Sequence, residues 1–143
     1  MHNVYENSVV SVQAIKPDAN NETINGAGVD MLEYGAVTFI VVAQKGESAN
    51  FSIKAQQAQQ SDYSDAADLA GTAVSFSTTA SVDGVAVLEI RRPRERYVRP
   101  VVTVPTLSAA KAVCVIAIKH SPTRVPTTNV TGELHVSPAE GTA

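Results

Sequence analysis

The residues best suited to bind a partner are arginines concentrated in one short stretch of the chain. Residues 91–100, RRPRERYVRP, hold five of the six arginines of a 143-residue chain whose formal net charge is −3. The guanidinium group is planar and weakly hydrated, and it binds carboxylates and phosphates through paired hydrogen bonds. This local positive charge in an acidic chain therefore indicates a contact with an acidic partner. The candidate partner-binding residues are Arg91, Arg92, Arg94, Arg96, Tyr97 and Arg99.

Three interpretations of this stretch stay open. It is a solvated turn balanced by acidic residues of the same domain, such as Glu89 and Glu95, a contact for a carboxylate-bearing protein surface, or a contact for nucleic acid. The third is the weakest, because the net charge is negative and Tyr97 is the one aromatic residue in the stretch on which a base could stack. We therefore expect no nucleic-acid partner.

The remaining chemistry-bearing residues show no catalytic or metal-binding spacing. The three histidines are His2, His120 and His135. They lack the HExxH or HxH spacing that places two ligands on one metal. Cys114, the one cysteine, lies in an apolar alternating segment and is expected to be a small buried hydrophobic residue. Asp62, Asp65 and Asp68 lack the glycine and distal glutamate of a calcium loop. We expect no enzyme activity, no metal and no cofactor.

The elements that position these residues are short strands, because β-branched residues recur at alternate positions between turn residues. The predicted strands lie within 8–15, 36–43, 51–55, 72–78, 85–90, 97–104 and 112–119. Residues 36–43 and 112–119 are apolar on both faces, so each is expected to be central or packed at an interface.

The connections between these strands are predicted from turn residues. Residues 44–48 and the Asp83-Gly84 dipeptide are expected to form hairpins, and Pro100 favours an edge strand or a bulge in its own strand. Residues 56–68 are compatible with a continued strand, a short helix or a polar loop.

About seven or eight strands at this spacing predict an all-β fold, an antiparallel β-sandwich or barrel of jelly-roll type. Residues 1–120 form the predicted domain with its N-terminal arm, and residues 121–143, rich in Pro and Thr, form an extended C-terminal arm. The N-terminus lacks the pattern of a signal peptide and no apolar run has the length of a membrane span, so we expect synthesis in a cytoplasm and no membrane contact.

Several segments of the chain resemble one family. They are TINGAGVD at 23–30, AVTFIVV at 36–42, FSIKAQQ at 51–57, GVAVLEI at 84–90, RPRERYVRPVV at 92–102 and VIAI at 115–118. Together, over residues 8–125, they resemble the small virion proteins of tailed bacteriophages that act as capsid decoration, or cement, proteins. The resemblance implies a structural protein on the outer surface of the capsid, made in the host cytoplasm, that binds the major capsid protein and bridges its subunits.

Two further expectations follow from this resemblance and from the two-sided strands. We expect a homo-oligomer, with a homotrimer favoured, because subunit contacts would cover the second apolar faces and trimers match the local three-fold positions of a capsid. The alternative function is a virion-surface or tail-associated recognition module that binds a host glycan or surface. The absence of tryptophan disfavours that alternative, since sugar-binding faces usually present exposed aromatic rings.

Overall fold

The computed structural model describes residues 4–124, with the side chain of Tyr5 excepted. A single helical turn, α1 (Val4–Asn7), precedes ten strands. The strands are β1 (Ser8–Ala19), β2 (Glu22–Asn25), β3 (Val29–Asp30), β4 (Tyr34–Ala43), β5 (Ala49–Ala58), β6 (Ala67–Asp68), β7 (Val74–Thr78), β8 (Gly84–Arg91), β9 (Tyr97–Val104) and β10 (Lys111–Pro122). With α1 as the one helix of this part of the chain, none of its helical segments can cross a membrane.

The strands form two antiparallel sheets in the jelly-roll order. The first sheet has the order β1-β10-β4-β8. In the second sheet, β2 and β3 both pair with β9, β9 pairs with β5, and β6 and β7 both pair with β5. When β2 with β3 and β6 with β7 each count as one interrupted strand, the eight positions run 1-8-3-6 and 2-7-4-5, which is the arrangement of a double-sheet jelly roll. The predicted all-β sandwich is therefore confirmed.

The core lies between the two sheets and follows the alternation in the sequence. In β8 every second residue is buried, as the period-two pattern predicts. Phe39 of the first sheet and Phe51 of the second are almost completely buried, and the ring of Phe51 stacks on Phe76 at a centroid distance of 5.5 Å. The two strands that are apolar on both faces, β4 and β10, are the central strands of the first sheet, as expected.

Both predicted hairpins are wrong, because each loop crosses from one sheet to the other. Residues 44–48 join β4 of the first sheet to β5 of the second, and Asp83 precedes β8 of the first sheet after β7 of the second. Gly84 does not have a positive φ. It is required for close approach, since a Cβ there would lie 3.0 Å from Cδ2 of Phe76.

The two prolines within strands occupy different positions in their sheets. Pro17 lies beyond the strand predicted within 8–15 but inside β1, an edge strand whose register shifts between Lys16 and Ala19. Pro100 lies in β9, a central strand, so the edge alternative is wrong. The Pro100 carbonyl accepts a hydrogen bond from the Gly26 amide at 2.8 Å. The ring nitrogen of Pro100, which carries no hydrogen, faces the same side of β9 as that carbonyl. On this side lies the gap between the end of β2 and the start of β3. The interruption of the hydrogen-bond ladder that a proline requires therefore coincides with the gap between β2 and β3.

The segment left open by the sequence combines two of its three alternatives. Residues 56–58 continue β5, and a loop of turns follows before β6. At the C-terminus, β10 extends to Pro122, and residues 125–143 of the predicted arm lie outside the described residues, as do His2 and His135.

Candidate partner-binding site

The arginine-rich stretch forms the β8–β9 loop (residues 92–96) and the two strand ends beside it. The loop crosses from the first sheet to the second at one end of the sandwich. Backbone hydrogen bonds hold it at both ends. The Arg92 amide donates to the Gly35 carbonyl at 2.8 Å, and the Met31 amide donates to the Arg96 carbonyl at 2.8 Å. Arg92 has a φ of 49°, a left-handed conformation that an arginine adopts only when its surroundings impose it.

An open groove of about 400 Å³ runs between this loop and residues 31–35. A lysine of β10 contacts residues beside the groove. The Lys119 ammonium donates to the Asp30 carbonyl at 3.1 Å and lies 4.2 Å from the centre of the Tyr34 ring. Burial lowers the pKa of Lys119, and the nearby Asp30 carboxylate opposes that effect. The charged residues that line the groove are Arg92, Arg94 and Arg96 together with Glu33 and Glu95.

Arg96 is already paired within the molecule. Its Nε and Nη2 atoms donate to Oδ1 and Oδ2 of Asp30 at 2.9 and 2.7 Å, the paired geometry of an arginine and a carboxylate. The Arg96 guanidinium, through these hydrogen bonds, holds the pKa of the Asp30 carboxyl below its usual value. Arg96 thus fastens the end of the loop to β3, and its charge is balanced before any partner arrives.

Within residues 4–124, Arg92 and Arg94 differ from Arg96 in having no acidic partner. Both are exposed, and no ion pair among residues 4–124 includes either of them. Their backbone is nevertheless held by the hydrogen bonds of the loop. These two guanidinium groups are the part of the predicted cluster that is free to bind carboxylates of another molecule.

Tyr97 and Arg99 belong to a second arrangement, built around Tyr63. The Tyr63 hydroxyl donates to the Val98 carbonyl at 3.1 Å. The Tyr63 ring meets the Tyr97 ring edge to face at a centroid distance of 6.4 Å, and the Arg99 guanidinium lies 4.8 Å from the centre of the Tyr63 ring. Burial raises the pKa of Tyr63 to about 12. Arg99 also donates from Nε to Oε1 of Gln56 at 2.9 Å. Tyr97 and Arg99 are thus engaged on the outer face of the second sheet.

Arg91 points in the opposite direction. It ends β8 on the outer face of the first sheet, where its guanidinium lies 3.6 Å from the Glu89 carboxylate. The fold therefore divides six neighbouring candidates into three groups. Arg92, Arg94 and Arg96 line the groove, Tyr97 and Arg99 lie on the second sheet, and Arg91 lies on the first.

Two residues of this region gave no signal in the sequence. Asp30 lies 66 positions before Arg96, and Tyr63 lies in a polar loop 35 positions before Val98. Only Gly28 hints at Tyr63. Gly28 has a φ of +84°, and a Cβ there would lie 2.7 Å from Cε2 of the Tyr63 ring. Nothing in the spacing of the residues predicts which side chain requires that space.

His120 and Cys114, two further chemistry-bearing residues, both belong to β10. His120 shares a hydrogen bond of 3.0 Å between its Nε2 and the Thr38 hydroxyl. Cys114 is only partly buried and faces outward from the first sheet, so its expected burial is wrong. Within residues 4–124, no group of three or more His, Cys, Asp or Glu side chains is arranged to hold a metal ion.

Comparison with known proteins finds a likeness among solved structures. No family model matches the chain, and no curated protein matches it. Among solved structures, the phage PBSX exported protein XepA resembles this chain with a TM-score of 0.56 at 14% sequence identity. The likeness covers 98% of this chain and 46% of XepA, so the chain spans about half the length of that protein. At this identity the likeness establishes a shared fold, the β-sandwich described above.

Proposed function

We propose that this protein is a structural protein of a phage virion, and specifically a capsid decoration protein that binds the major capsid protein on the outer surface of the head. The phage association has two supports. One is the resemblance of the sequence segments to tailed-phage decoration proteins, and the other is the fold shared with a phage exported protein. The jelly roll is also compatible with many other functions, so the proposal depends on the surface rather than on the fold.

The observation that supports capsid binding best is the pair of free arginines at the groove. Arg92 and Arg94 are exposed and unpaired among residues 4–124, and backbone hydrogen bonds at both ends of the loop fix their positions. Because the loop backbone is already fixed, only the side-chain freedom of these two arginines is lost when they meet a carboxylate. The proposed partner is therefore an acidic patch on the major capsid protein.

The test of the contact uses heads that lack this protein. The Arg92→Ala/Arg94→Ala double variant is compared with Lys45→Ala, which removes an exposed cation at the opposite end of the sandwich. Exposed ion pairs are individually weak, so we expect the double variant to bind about 2- to 30-fold more weakly, with a smaller dependence on salt. Lys45→Ala should bind like the wild type. Equal affinity of the double variant and the wild type would refute the role of these arginines.

The test of the location is the number of copies per virion. Quantitative mass spectrometry of density-purified particles gives the ratio of this protein to the major capsid protein. Hundreds of copies in a simple ratio to the capsid subunit support decoration. A handful of copies would instead favour the tail-associated recognition module, and a complete absence would refute a virion role.

A further inference from the structure

The outer face of the first sheet is apolar across its whole width. One row of side chains runs across all four strands through Val12, Ile116, Ile40 and Val87. The next row runs through Ile15, Cys114, Val42 and Val85. These residues alternate with buried ones, so their side chains point away from the core. We call these two rows the apolar face.

The apolar face is open in the single chain. Ile15 is 68% exposed, Val12, Val85 and Val87 are each 57% exposed, and Val42 is 41% exposed. Neighbouring strands lie about 4.8 Å apart, and every second residue along a strand lies about 6.8 Å from the last. Two rows across four strands therefore cover a continuous patch of roughly 300 Å² when projected onto the sheet. A contiguous apolar patch of a few hundred Å² is typical of an interaction site.

The second sheet shows how this chain builds a face that stays in water. One row of outward side chains across this sheet consists of Thr23, Thr103, Ser52 and Ser75, each with a hydroxyl group. Lys54 and Gln56 follow on the same face of β5. Because the two outer faces come from similar strands, the apolar one is a specific feature of the first sheet.

We propose that the apolar face of one chain packs against the same face of a second copy. Three outward rows across the four strands, the two of the apolar face and the row of Val10, Ile118, Thr38 and Glu89, measure roughly 400 Å² in projection, which is the size per partner of a small interface. The two rows contain no charge, whereas Glu89 and Arg91 lie beyond them at the end of β8. An apolar centre with charges at its rim is the composition of a permanent homodimer interface.

The geometry favours a second copy over the capsid as the occupant. A capsid contact forms only after the protein has reached the head, and an apolar face left open until then would promote aggregation. An apolar patch without charges can pack against the same patch of a second copy, and contact of one patch with the same patch gives a two-fold dimer. This inference does not depend on the proposed capsid function, and it differs from the trimer expected from the sequence.

The test is the mass of the full chain in solution, measured by light scattering coupled to size exclusion at micromolar concentration. We expect the wild type to have the mass of two chains and Val87→Lys or Val12→Lys to have the mass of one. The matched control is Ser75→Lys, which places a lysine on the outer face of the second sheet, also at an edge strand, and should stay dimeric. Circular dichroism identifies any variant that has failed to fold.

A second measurement uses the single cysteine as a reporter within the apolar face. Cys114 is partly buried in the free chain and would be covered in the dimer. Its alkylation should therefore be at least tenfold slower in the wild type than in folded Val87→Lys. A monomeric or trimeric wild type, a lysine variant that stays dimeric, or equal alkylation rates would each overturn the proposal.

Discussion

Replacing Gly28 with alanine should displace Tyr63 and loosen the residues that rest on it. Gly28 has a φ of +84°, and the added Cβ would lie 2.7 Å from Cε2 of Tyr63 and closer still to the hydroxyl end of the ring. The Gly28 amide donates to Oε1 of Gln13 at 2.7 Å, and Gln13 is buried at a bulge of β1, so the backbone cannot easily move away. The side chain of Tyr63 must move instead.

The expected loss of stability has two parts. An alanine in the left-handed region costs about 1–2 kcal/mol whatever its neighbours. Displacement of Tyr63 removes the hydrogen bond to the Val98 carbonyl, worth about 0.5–1.5 kcal/mol, and the edge contact with Tyr97, worth a similar amount. The free energy of unfolding should therefore fall by about 2–5 kcal/mol.

A double-mutant cycle separates these two parts. Urea unfolding at one fixed protein concentration, followed by circular dichroism, is measured for the wild type, Gly28→Ala, Tyr63→Ala and the double variant. With Tyr63 removed, Gly28→Ala should cost only the backbone term of about 1–2 kcal/mol. Additive effects, within about 0.5 kcal/mol, would refute the contact between these residues.

Two further predictions concern pH. Because Arg96 lowers the pKa of Asp30 in the fold, the pair stabilises the folded state above the unfolded carboxyl pKa of about 3.9, and that stabilisation is lost as the pH falls through the lower folded value. Urea unfolding should thus show Asp30→Asn to be less stable than the wild type at pH 7, with the difference shrinking toward pH 2, and a constant difference would contradict this. The pKa of Tyr63 is raised to about 12, so the fold favours the neutral phenol and its effect on stability has the opposite pH dependence. Stability is lost as the pH rises from 10 to 12, where the tyrosine of the unfolded chain ionises first. Tyr63→Phe should lose less stability over that interval, and the late-titrating part of the wild-type tyrosinate absorbance should be missing from that variant.

Seven of the ten strands could be predicted because their signal is local, whereas the short strands β2, β3 and β6 were not predicted. The alternation of Ala86, Leu88 and Ile90 with exposed neighbours specifies both the strand and the face that it buries. The pairing of the strands could not be predicted in the same way. The Asp83-Gly84 dipeptide predicts a hairpin, yet the two strands beside it belong to different sheets, because the burial of both sheets' inner faces outweighs the preference of one turn.

The candidate site, like the fold, could be predicted from the sequence only in part. The sequence identifies the arginine cluster by its density alone, and Arg92 and Arg94 are found exposed at the groove. The partner of Arg96 is an aspartate 66 positions away, and the sequence contains no signal for that distance. Adjacent residues of a strand also point to opposite faces, so neighbours in sequence need not share a surface.

The sequence by itself predicted an all-β sandwich or barrel, placed the segments of β4 and β10 at the centre of a sheet or at an interface, and showed that positive charge is concentrated near β9. These properties follow from residue type and period, which act over a few neighbouring residues. The tertiary structure decided which arginines stay free and that the outward apolar residues of four strands align into one face. Both depend on register and on long-range pairing, which arise only when the two sheets bury their inner faces against each other.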